Sequence, residues 1–437
     1  MAKYTREDIL DMIEEEDIEF IRLQFTDILG NLKNMATTID QIDKILDGHY
    51  RFHCAAIDGF RDTGYEELFL VPDLDSFVIF PWRPQNGKVA RFLCNVVKPD
   101  GTPFDGDSRY VLKKVIAQAK ESGYEFKVAI KNEFFLFDLG ENGEPTNHSN
   151  EKGGYFDVGP ADCGENSRRD MVLFLSDMGI SVETSYHSDE ASQHVLELGY
   201  ANPLKMADDI MTSRLVVRTV ARRHGVHATF MPKPRASVKG SGAHYTFTIL
   251  KDGKNIFSDE NDTLGVSKEG YSFMAGILKH IANMSLINNP LVNSYKRIVP
   301  GYLAPVTVGW SSTNMSPLIR LTSIGSDGGR LVLRSPDGAS NPYLVIALCI
   351  AAGMQGIENE LEAPVCMDDL SEKEIDRAEI LPRTIHEAVK LFRKDEFLQE
   401  VLGAHISDYM MRTKEAEWEE YCRQVTNWEI EQYLSTI

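Results

Sequence analysis

Cysteine is scarce, and its spacing excludes the roles in which it most often builds structure. The chain of 437 residues has six cysteines, at positions 54, 94, 163, 349, 366 and 422, and no two of them form a Cys-x-x-Cys pair. Disulfide frameworks and thiolate zinc sites need cysteines at paired spacings. We therefore expect reduced thiols, which are typical of a cytoplasmic protein.

Long apolar runs are lacking as well. No stretch of the sequence reaches the roughly 18 consecutive apolar residues that a membrane span needs. The N-terminus, MAKYTREDILDMIEEED, is charged and has no apolar core of the kind found in signal peptides. The sequence thus predicts a cytoplasmic location and no membrane partner.

Positive charge is in short supply. Lysine and arginine total 46 against 66 aspartates and glutamates, which gives a formal net charge of −20. An acidic surface repels phosphate backbones, so we expect no nucleic-acid partner. What is present is ordinary for a globular chain: 43% of the residues are hydrophobic, and the length predicts two or three domains.

Turn-forming residues divide the chain near residue 100, at Pro99–Pro103. Before this point, a helix capped by Thr5 and several short strands predict a small α+β unit. The strands are expected near Phe20–Phe25, Asn34–Ile39, Ser76–Trp82 and Val89–Val97. After it, further strands, one of them near Val306–Trp310, interleave with helices, one of them near Tyr271–Asn288, and the pattern is helical from Asn341 onward. We predict domains at residues 1–102 and 103–437.

Several polar residues stand where chemistry could take place. Lys131 and Glu133 lie two apart in an apolar strand and share one face, which fits either a structural ion pair or the remnant of a cation site. His187 and His194 flank acidic residues without a diagnostic ligand spacing. The glycine-rich turn Lys239–His244 allows close approach of a ligand to the backbone.

Arginines cluster on short strands in the later part of the chain. Arg297 lies in a turn-rich segment, and Arg320, Arg330 and Arg334 follow on strands. Converging guanidinium groups in an acidic chain indicate capture of a carboxylate or phosphate. Ion pairing with the many acidic residues remains the equal alternative.

Several collinear segments, spread over nearly the whole chain, resemble bacterial type I glutamine synthetase. They are Phe20–Gly30, Asp73–Trp82, Lys88–Phe92, Pro99–Gly106, Gly153–Asp157, His227–Pro234, Gly240–His244, Asn293–Tyr302 and Asn341–Tyr343. The resemblance implies an α+β fold: a small β-grasp domain, here residues 1–102, and a larger catalytic-type domain, here residues 103–437. That larger domain is expected to have an antiparallel sheet flanked by helices and a helical C-terminal region.

The resemblance also implies an assembly and a reaction. Members of the family form dodecamers of two stacked hexameric rings, with each active site between the N-terminal domain of one subunit and the sheet of the next. They join glutamate and ammonia using ATP, through a γ-glutamyl phosphate, with Mg²⁺ or Mn²⁺ in the site. Homo-oligomers are therefore expected, or assembly with an active paralogue.

Matching positions carry the family's site residues onto this chain. Glutamate binding is implied for Gly240, Arg297 and Arg334. ATP binding is implied for Glu183, Thr246, Thr248 and Arg320. Of the family's six metal ligands, Glu133 and His244 remain. The other four are carboxylates in the family and are replaced in this chain by Lys131, Ser188, Val195 and Val332.

Three further catalytic positions of the family are altered. His53 replaces an aspartate that binds ammonium, Leu303 replaces the glutamate of a closing loop, and Met315 replaces an arginine that contacts the transferring phosphate. These changes, with the missing carboxylates, predict weak metal binding.

Three functional interpretations follow. The first is a pseudoenzyme that has lost ATP- and metal-dependent ligation and acts as a binding, regulatory or structural subunit with an amino-acid or nucleotide ligand. The second is an active glutamine synthetase, or another ATP-dependent γ-glutamyl ligase, with rebuilt metal ligands. The third is metal-free chemistry around His53, Lys131 and His187.

Overall fold

Two β-sheets, one in the N-terminal part and a larger one after it, organise the chain. The computed structural model describes residues 3–61, 64–83, 86–302, 304–314, 317–322 and 329–437. The predictions made for Leu303 and Met315 therefore fall outside the described residues. No helix in the described ranges is long and apolar enough to cross a membrane.

The N-terminal sheet has the strand order β2-β1-β6-β4-β3, with β5 paired to β6. Its central pair, β1 and β6, is parallel, and its other pairs are antiparallel. As predicted, Thr5 caps the first helix, accepting a hydrogen bond from the amide of Asp8. The elements are α1 (Arg6–Glu15), β1 (Ile18–Thr26), β2 (Leu32–Thr38), α2 (Ile42–Leu46), β3 (Tyr50–His53), β4 (Glu67–Pro72), β5 (Val78–Ile79) and β6 (Lys88–Val97).

The second sheet has the strand order β13-β14-β15-β11-β7-β9-β8, with β10 beside β7 and β12 beside β11. Apart from the parallel contact of β13 with β14, its described pairs are antiparallel, as predicted. Its strands are β7 (Tyr124–Asp138), β8 (Val182–His187), β9 (Gln193–Ala201), β10 (Val226–Thr229), β11 (Ala243–Lys251), β12 (Lys254–Asn255), β13 (Trp310–Ser311), β14 (Ile319–Thr322) and β15 (Arg330–Leu333).

Helices cover one side of this sheet and form the C-terminal region. The central helix of the group is α9, whose segment from Leu344 to Ile350 is fully buried and which packs against α3, α5 and α6. The helices are α3 (Ser108–Glu121), α4 (Glu165–Asp177), α5 (Pro203–Arg223), α6 (Lys268–His280), α7 (Ser285–Asn288), α8 (Ser294–Arg297), α9 (Pro342–Glu358), α10 (Glu372–Ile375), α11 (Ile385–Phe392), α12 (Glu396–Leu402), α13 (Ala404–Cys422) and α14 (Asn427–Tyr433).

Alternation along the central strand β7 separates the core from the site. Val128 and Ile130 are buried among the apolar residues of the core. Lys131 and Glu133 retain partial exposure, on the face that lines a cavity. The strand thus buries one face and presents polar side chains on the other.

Three elements differ from the sequence prediction. The strand expected over Ser76–Trp82 is reduced to Val78–Ile79, because a 3₁₀ turn occupies Leu74–Ser76. The strand expected at Val306–Trp310 is only Trp310–Ser311. The helix expected to run to Asn288 ends at His280 and resumes at Ser285.

Candidate functional site

A cavity of about 600 Å³ lies on the second sheet, over its central strands. Strands β7, β8, β9, β11, β14 and β15 contribute to its wall, with the glycine-rich turn before β11 and the segment around Tyr302. Most of the predicted site residues meet in this cavity. They are Lys131, Glu133, Glu183, Ser188, Gly240, His244, Thr246, Arg297, Arg320, Val332 and Arg334.

Three predicted residues do not line the cavity. Thr248 lies two positions beyond Thr246 on β11, opposite Lys127. Val195 is fully buried between Glu133 and Tyr186, its register partners on the neighbouring strands. His53 ends β3, which belongs to the N-terminal sheet and not to the sheet that carries the cavity.

Glu133 is held from two sides at the centre of the cavity. Its Oε2 accepts a hydrogen bond of 2.8 Å from the amide of Gly242. Its Oε1 lies 3.7 Å from the ammonium of Lys131, which also stands 5.4 Å from the centre of the Tyr186 ring. The ion pair predicted from their spacing is therefore confirmed.

Arg297 is buried and fixed by backbone carbonyls. Its guanidinium donates to the oxygens of Ser335 at 3.0 Å and of Arg334 at 3.2 Å. Gly240 and Gly242 pack against it so closely that a Cβ at Gly242 would come within 2.6 Å of its Nη2. Small residues at these two positions are required by the arginine beside them.

The cavity concentrates positive charge. Burial, then the neighbouring charges of Arg297 and Arg320, lower the pKa of Arg334 to about 10, despite the opposing effect of Glu133. Burial also holds the pKa of His244 well below its usual value, and the charges of Arg334, Lys131 and Arg297 lower it further. His244 is therefore a neutral imidazole among three cations.

Sequence reasoning missed one carboxylate of the cavity, Glu197. Glu197 lies opposite Lys131 across the β7–β9 pair, and its Oε1 accepts a 2.8 Å hydrogen bond from the hydroxyl of Tyr186. Asp189 pairs with Lys239 at 3.0 Å. Glu197 follows Val195 by two positions, so the strand period was the signal that could have found it.

A second, buried group lies beside the cavity, at the ends of β8 and β9. Glu151, Asp162, His187 and His194 bring one ligand atom each within 4.8 Å of one another. Carboxylates and imidazoles are donors that bind divalent metals. We call this candidate metal-binding group the histidine–acid cluster.

The hydrogen-bond partners of its histidines show that this cluster is an ionic network. His187 Nδ1 contacts the carbonyl of Ser188 at 2.8 Å, so it must donate, and Nε2 lies 3.1 Å from Glu151. Burial opposes the charge, but these two acceptors raise the pKa of His187. A protonated imidazole is not a metal ligand, so binding an ion here requires His187 to lose its proton.

Arg168 contacts the other two members of the cluster, Asp162 and His194, and occupies atoms that a metal ion would need. It pairs with both oxygens of Asp162 at 2.8 and 2.5 Å, and it contacts Nδ1 of His194 at 2.8 Å. Since Arg168 can only donate, Nδ1 accepts and the proton of neutral His194 lies on Nε2. Burial lowers the pKa of His194 to about 3, with Arg168 and His187 also contributing.

The divalent cations used by the family do not fit the residues present on the sheet. Both oxygens of Glu133 already face donors, Gly242 and Lys131. Val195 and Val332 offer no donor atoms. Since hard cations require several negatively charged oxygens, we derive no step through a metal ion held at these positions.

Family models match almost the entire chain. The glutamine synthetase β-grasp domain matches residues 17–99, and the glutamine synthetase catalytic domain matches residues 105–433. The chain belongs to the glutamine synthetase family. The predicted fold, a β-grasp domain followed by a larger catalytic-type domain, is thereby confirmed, and membership implies ATP and a divalent metal as cofactors.

Relatives and solved structures agree with this assignment. Glutamine synthetase of Clostridium saccharobutylicum is 49% identical over 442 residues, covering 100% of both chains. That of Staphylococcus aureus N315 is 44% identical over 438 residues, covering 99% of this chain and 98% of its own. A GmaS complex with ADP has a TM-score of 0.89 at 30% identity, covering 98% of this chain and 99% of its own.

A more distant structure supports the fold alone. The cryo-EM structure of Plasmodium falciparum glutamine synthetase has a TM-score of 0.88 at 22% identity and covers 99% of both chains. At this identity the similarity concerns the path of the backbone.

The expectation of a pseudoenzyme is wrong. It depended on four substituted ligand positions, whereas glutamine synthetases 44–49% identical over essentially the full length favour an active enzyme. The ligand count also overlooked Glu197 in the cavity and the carboxylates of the histidine–acid cluster. Part of the negative charge in and beside the site therefore comes from residues outside the six ligand positions of the family.

Proposed function

We propose that this chain is an active ligase that uses ATP to join the γ-carboxylate of glutamate to ammonia, the reaction named in its relatives. The observation that carries the proposal is the cavity over β7, where six cationic side chains line the wall in a chain of net charge −20. Such a site attracts the anionic reactants. The reaction first requires the γ-carboxylate to take the terminal phosphoryl group of ATP, releasing ADP. Ammonia then attacks the acyl carbon, and inorganic phosphate leaves.

Arg297, Arg334 and Gly240 would hold glutamate. The guanidinium of Arg297 is oriented by two carbonyls, so it is positioned before a ligand arrives. Gly240 leaves the backbone accessible where a side chain would fill the space against Arg297. Charge-assisted hydrogen bonds from guanidinium groups are well suited to carboxylates.

Glu183, Thr246 and Arg320 would form the nucleotide side. All three line the same cavity as the proposed glutamate residues. Arg320 and Thr246 both lie beside Val332, on β14 and β11 respectively. Arg320 would neutralise charge on the phosphates, and Thr248, further along β11, would contact only the outer part of the nucleotide.

The chain is proposed to assemble with itself, as a dodecamer of two hexameric rings. His53, outside the cavity in the N-terminal sheet, would then approach the site of a neighbouring subunit. Light scattering of the purified chain should give twelve times the mass of 49.2 kDa. A monomeric mass would overturn the proposed assembly. If the mass of a dodecamer were reached only after a paralogue was added, hetero-assembly would be favoured.

The test of function is formation of glutamine from glutamate, ammonium and ATP, with Mg²⁺ or Mn²⁺ supplied. The Clostridium saccharobutylicum enzyme is the positive control. Arg297→Lys should raise the KM for glutamate at least about tenfold, because a lysine cannot present the planar fork. Lys296→Gln, an exposed neighbour outside the cavity, should leave it unchanged.

Folded, assembled protein that forms no glutamine and no ADP would overturn the proposal. Equal kinetics in the Arg297→Lys variant and the parent would overturn the assignment of Arg297 to glutamate binding and leave the ligase activity standing.

A further inference from the structure

We propose that the ammonium of Lys131, held by Glu133, replaces a protein-bound divalent cation in this cavity, so that a nucleoside diphosphate or triphosphate binds to the chain without Mg²⁺ or Mn²⁺. This inference rests on the proposed function, since it concerns the nucleotide of the same site. It explains the disagreement between the metal ions that the family uses and the residues that line this cavity.

The first argument is position. Lys131 stands on the central strand, opposite Glu197 on one neighbour and His244 on the other. Its side chain is 28% exposed, and its Nζ faces the cavity beside Glu133. The ammonium therefore lies on an interior strand, away from the edges of the sheet, where it reaches a ligand lying across β7.

The second argument is the geometry of the ion pair. The distance of 3.7 Å between Nζ and Oε1 is an ion-pair distance and exceeds that of a hydrogen bond. Glu133 thus holds the ammonium in place by charge without forming a short bond to it. Donors of Nζ remain for phosphate oxygens.

The third argument is the charge of the wall. The cavity is lined by six cations and four carboxylates, a formal excess of two positive charges. The cations are Lys131, Lys239, Arg297, Arg320, Arg330 and Arg334, and the carboxylates are Glu133, Glu183, Asp189 and Glu197. This excess favours a polyphosphate and disfavours a further divalent cation.

The fourth argument concerns the remaining donors. His244 shares the cavity with Lys131, Arg297 and Arg334, and a metal bound to it would stand among these positive charges. The carboxylate of Glu133 already accepts a hydrogen bond from the Gly242 amide. At the family's ligand positions only this carboxylate and this imidazole remain, and the other carboxylates of the cavity, Glu183, Asp189 and Glu197, do not offset its six cations. The role of the cation is therefore left to Lys131.

The test is equilibrium binding of ADP to the purified, assembled chain, by calorimetry, in EDTA and in Mg²⁺. We expect binding in EDTA at least as tight as in Mg²⁺. Lys131→Gln should weaken ADP binding in EDTA at least about tenfold, since a charge-assisted contact is lost. Lys127→Gln, on the same strand but exposed and outside the cavity, should bind ADP as the parent does.

Lys131→Glu provides the opposite readout. The variant places two carboxylates beside His244, so ADP should bind weakly in EDTA and regain affinity with Mn²⁺. Electron paramagnetic resonance should then detect bound Mn²⁺ in the variant and none in the parent at equal concentration. Circular dichroism establishes that each variant is folded.

Two results would overturn the inference: ADP binding by the parent only when Mg²⁺ is present, or equal affinity in Lys131→Gln and the parent. Failure here is distinct from failure of the proposed function. Glutamine formation with Mg²⁺-dependent ADP binding removes this inference and leaves the ligase. Metal-independent ADP binding without glutamine formation leaves the binding mode and removes the ligase.

Discussion

Gly240 shows how one residue shapes the cavity through the space it leaves. A Cβ at this position would collide with the carbonyl oxygen of Pro232 and come within 2.7 Å of Cγ of Arg297. The carbonyl belongs to the backbone and cannot move aside cheaply. The glycine therefore lets Arg297 lie flat against the turn, in the orientation that its two carbonyl partners fix.

We expect Gly240→Ala to lower the free energy of unfolding by about 1–3 kcal/mol, the usual cost of overpacking. Displacement of Arg297 should also raise the KM for glutamate about tenfold. Gly154→Ala is the control, because the nearest atom to its Cβ, Oδ2 of Asp157, lies 3.6 Å away. Urea unfolding and steady-state kinetics measure the two effects, and equal stability of both variants would refute the packing argument.

At the scale of elements, alternation in the strands is what made the cavity predictable. Lys131 and Glu133 were assigned to one face from a period of two, and both line the cavity as that period requires. Thr246 and Arg334, which line the same cavity, were assigned from the family resemblance. Glycines before β11 marked the turn beside it. Local rules sufficed here because each strand carries its own pattern.

The histidine–acid cluster could not be predicted in the same way. Its histidines, His187 at the end of β8 and His194 near the start of β9, are register partners, but Glu151 and Asp162 come from the connection between β7 and α4. No periodicity relates a connecting segment to a strand end. The strands β3 and β4 and the helix α4 were also missed, because they are short or weakly patterned.

The cluster predicts how stability depends on pH. His194 is neutral in the folded chain, with a pKa of about 3 against an ordinary 6.5, so unfolding takes up a proton and stability falls as the pH drops below 6.5. Burial opposes ionisation of Glu151, but the His187 hydrogen bond and nearby charges lower its pKa to about 2, adding a further loss between pH 4.5 and 2. His187, with a raised pKa, is fully stabilising below pH 6.5 and loses this contribution at higher pH.

We expect His194→Asn to flatten the decline between pH 6.5 and 4.5 by up to about 1.4 kcal/mol per pH unit. The asparagine oxygen can still accept from Arg168, so the variant removes the titration and keeps the contact. Urea unfolding at a series of pH values measures the difference between the parent and the variant. Exposed His148→Asn is the control, and a parent-like slope in His194→Asn would contradict the assignment.

At the scale of the whole molecule, Arg109 joins the N-terminal sheet to helix α5. It donates to Asp73 at 2.6 Å and to Asn95 at 2.7 Å, beside and within the N-terminal sheet, and it holds both oxygens of Asp208 on α5. The hydroxyl of Tyr343 on α9 completes the group by donating to Asp208 at 2.7 Å. The boundary between residues 102 and 103 remains a prediction, but Arg109, just after it, ties both parts together.

This network lay beyond sequence reasoning, since its members are far apart along the chain and none stands in a recognisable pattern. Arg109 and Asp208 are 99 positions apart. From the sequence alone, polar residues on α5 and at the start of α3 are expected to be exposed to solvent. In the structure Asp208 and Arg109 are nearly buried. The sequence predicts the two domains, but the hydrogen-bond network between them is visible only once they are packed together.

We expect Arg109→Met to cost about 3–5 kcal/mol of stability, because Asp208 would remain buried without its cation. Adding Asp208→Asn should recover part of this loss, since the unpaired charge disappears, and the double variant would then be more stable than Arg109→Met alone. Arg6→Met is the control: its ion pairs with Asp43 and Asp47 are exposed and should matter little. Urea unfolding provides the comparison. If Asp208→Asn destabilised the Arg109→Met chain further, the connection between the N-terminal sheet and α5 would depend on packing and not on the paired charge.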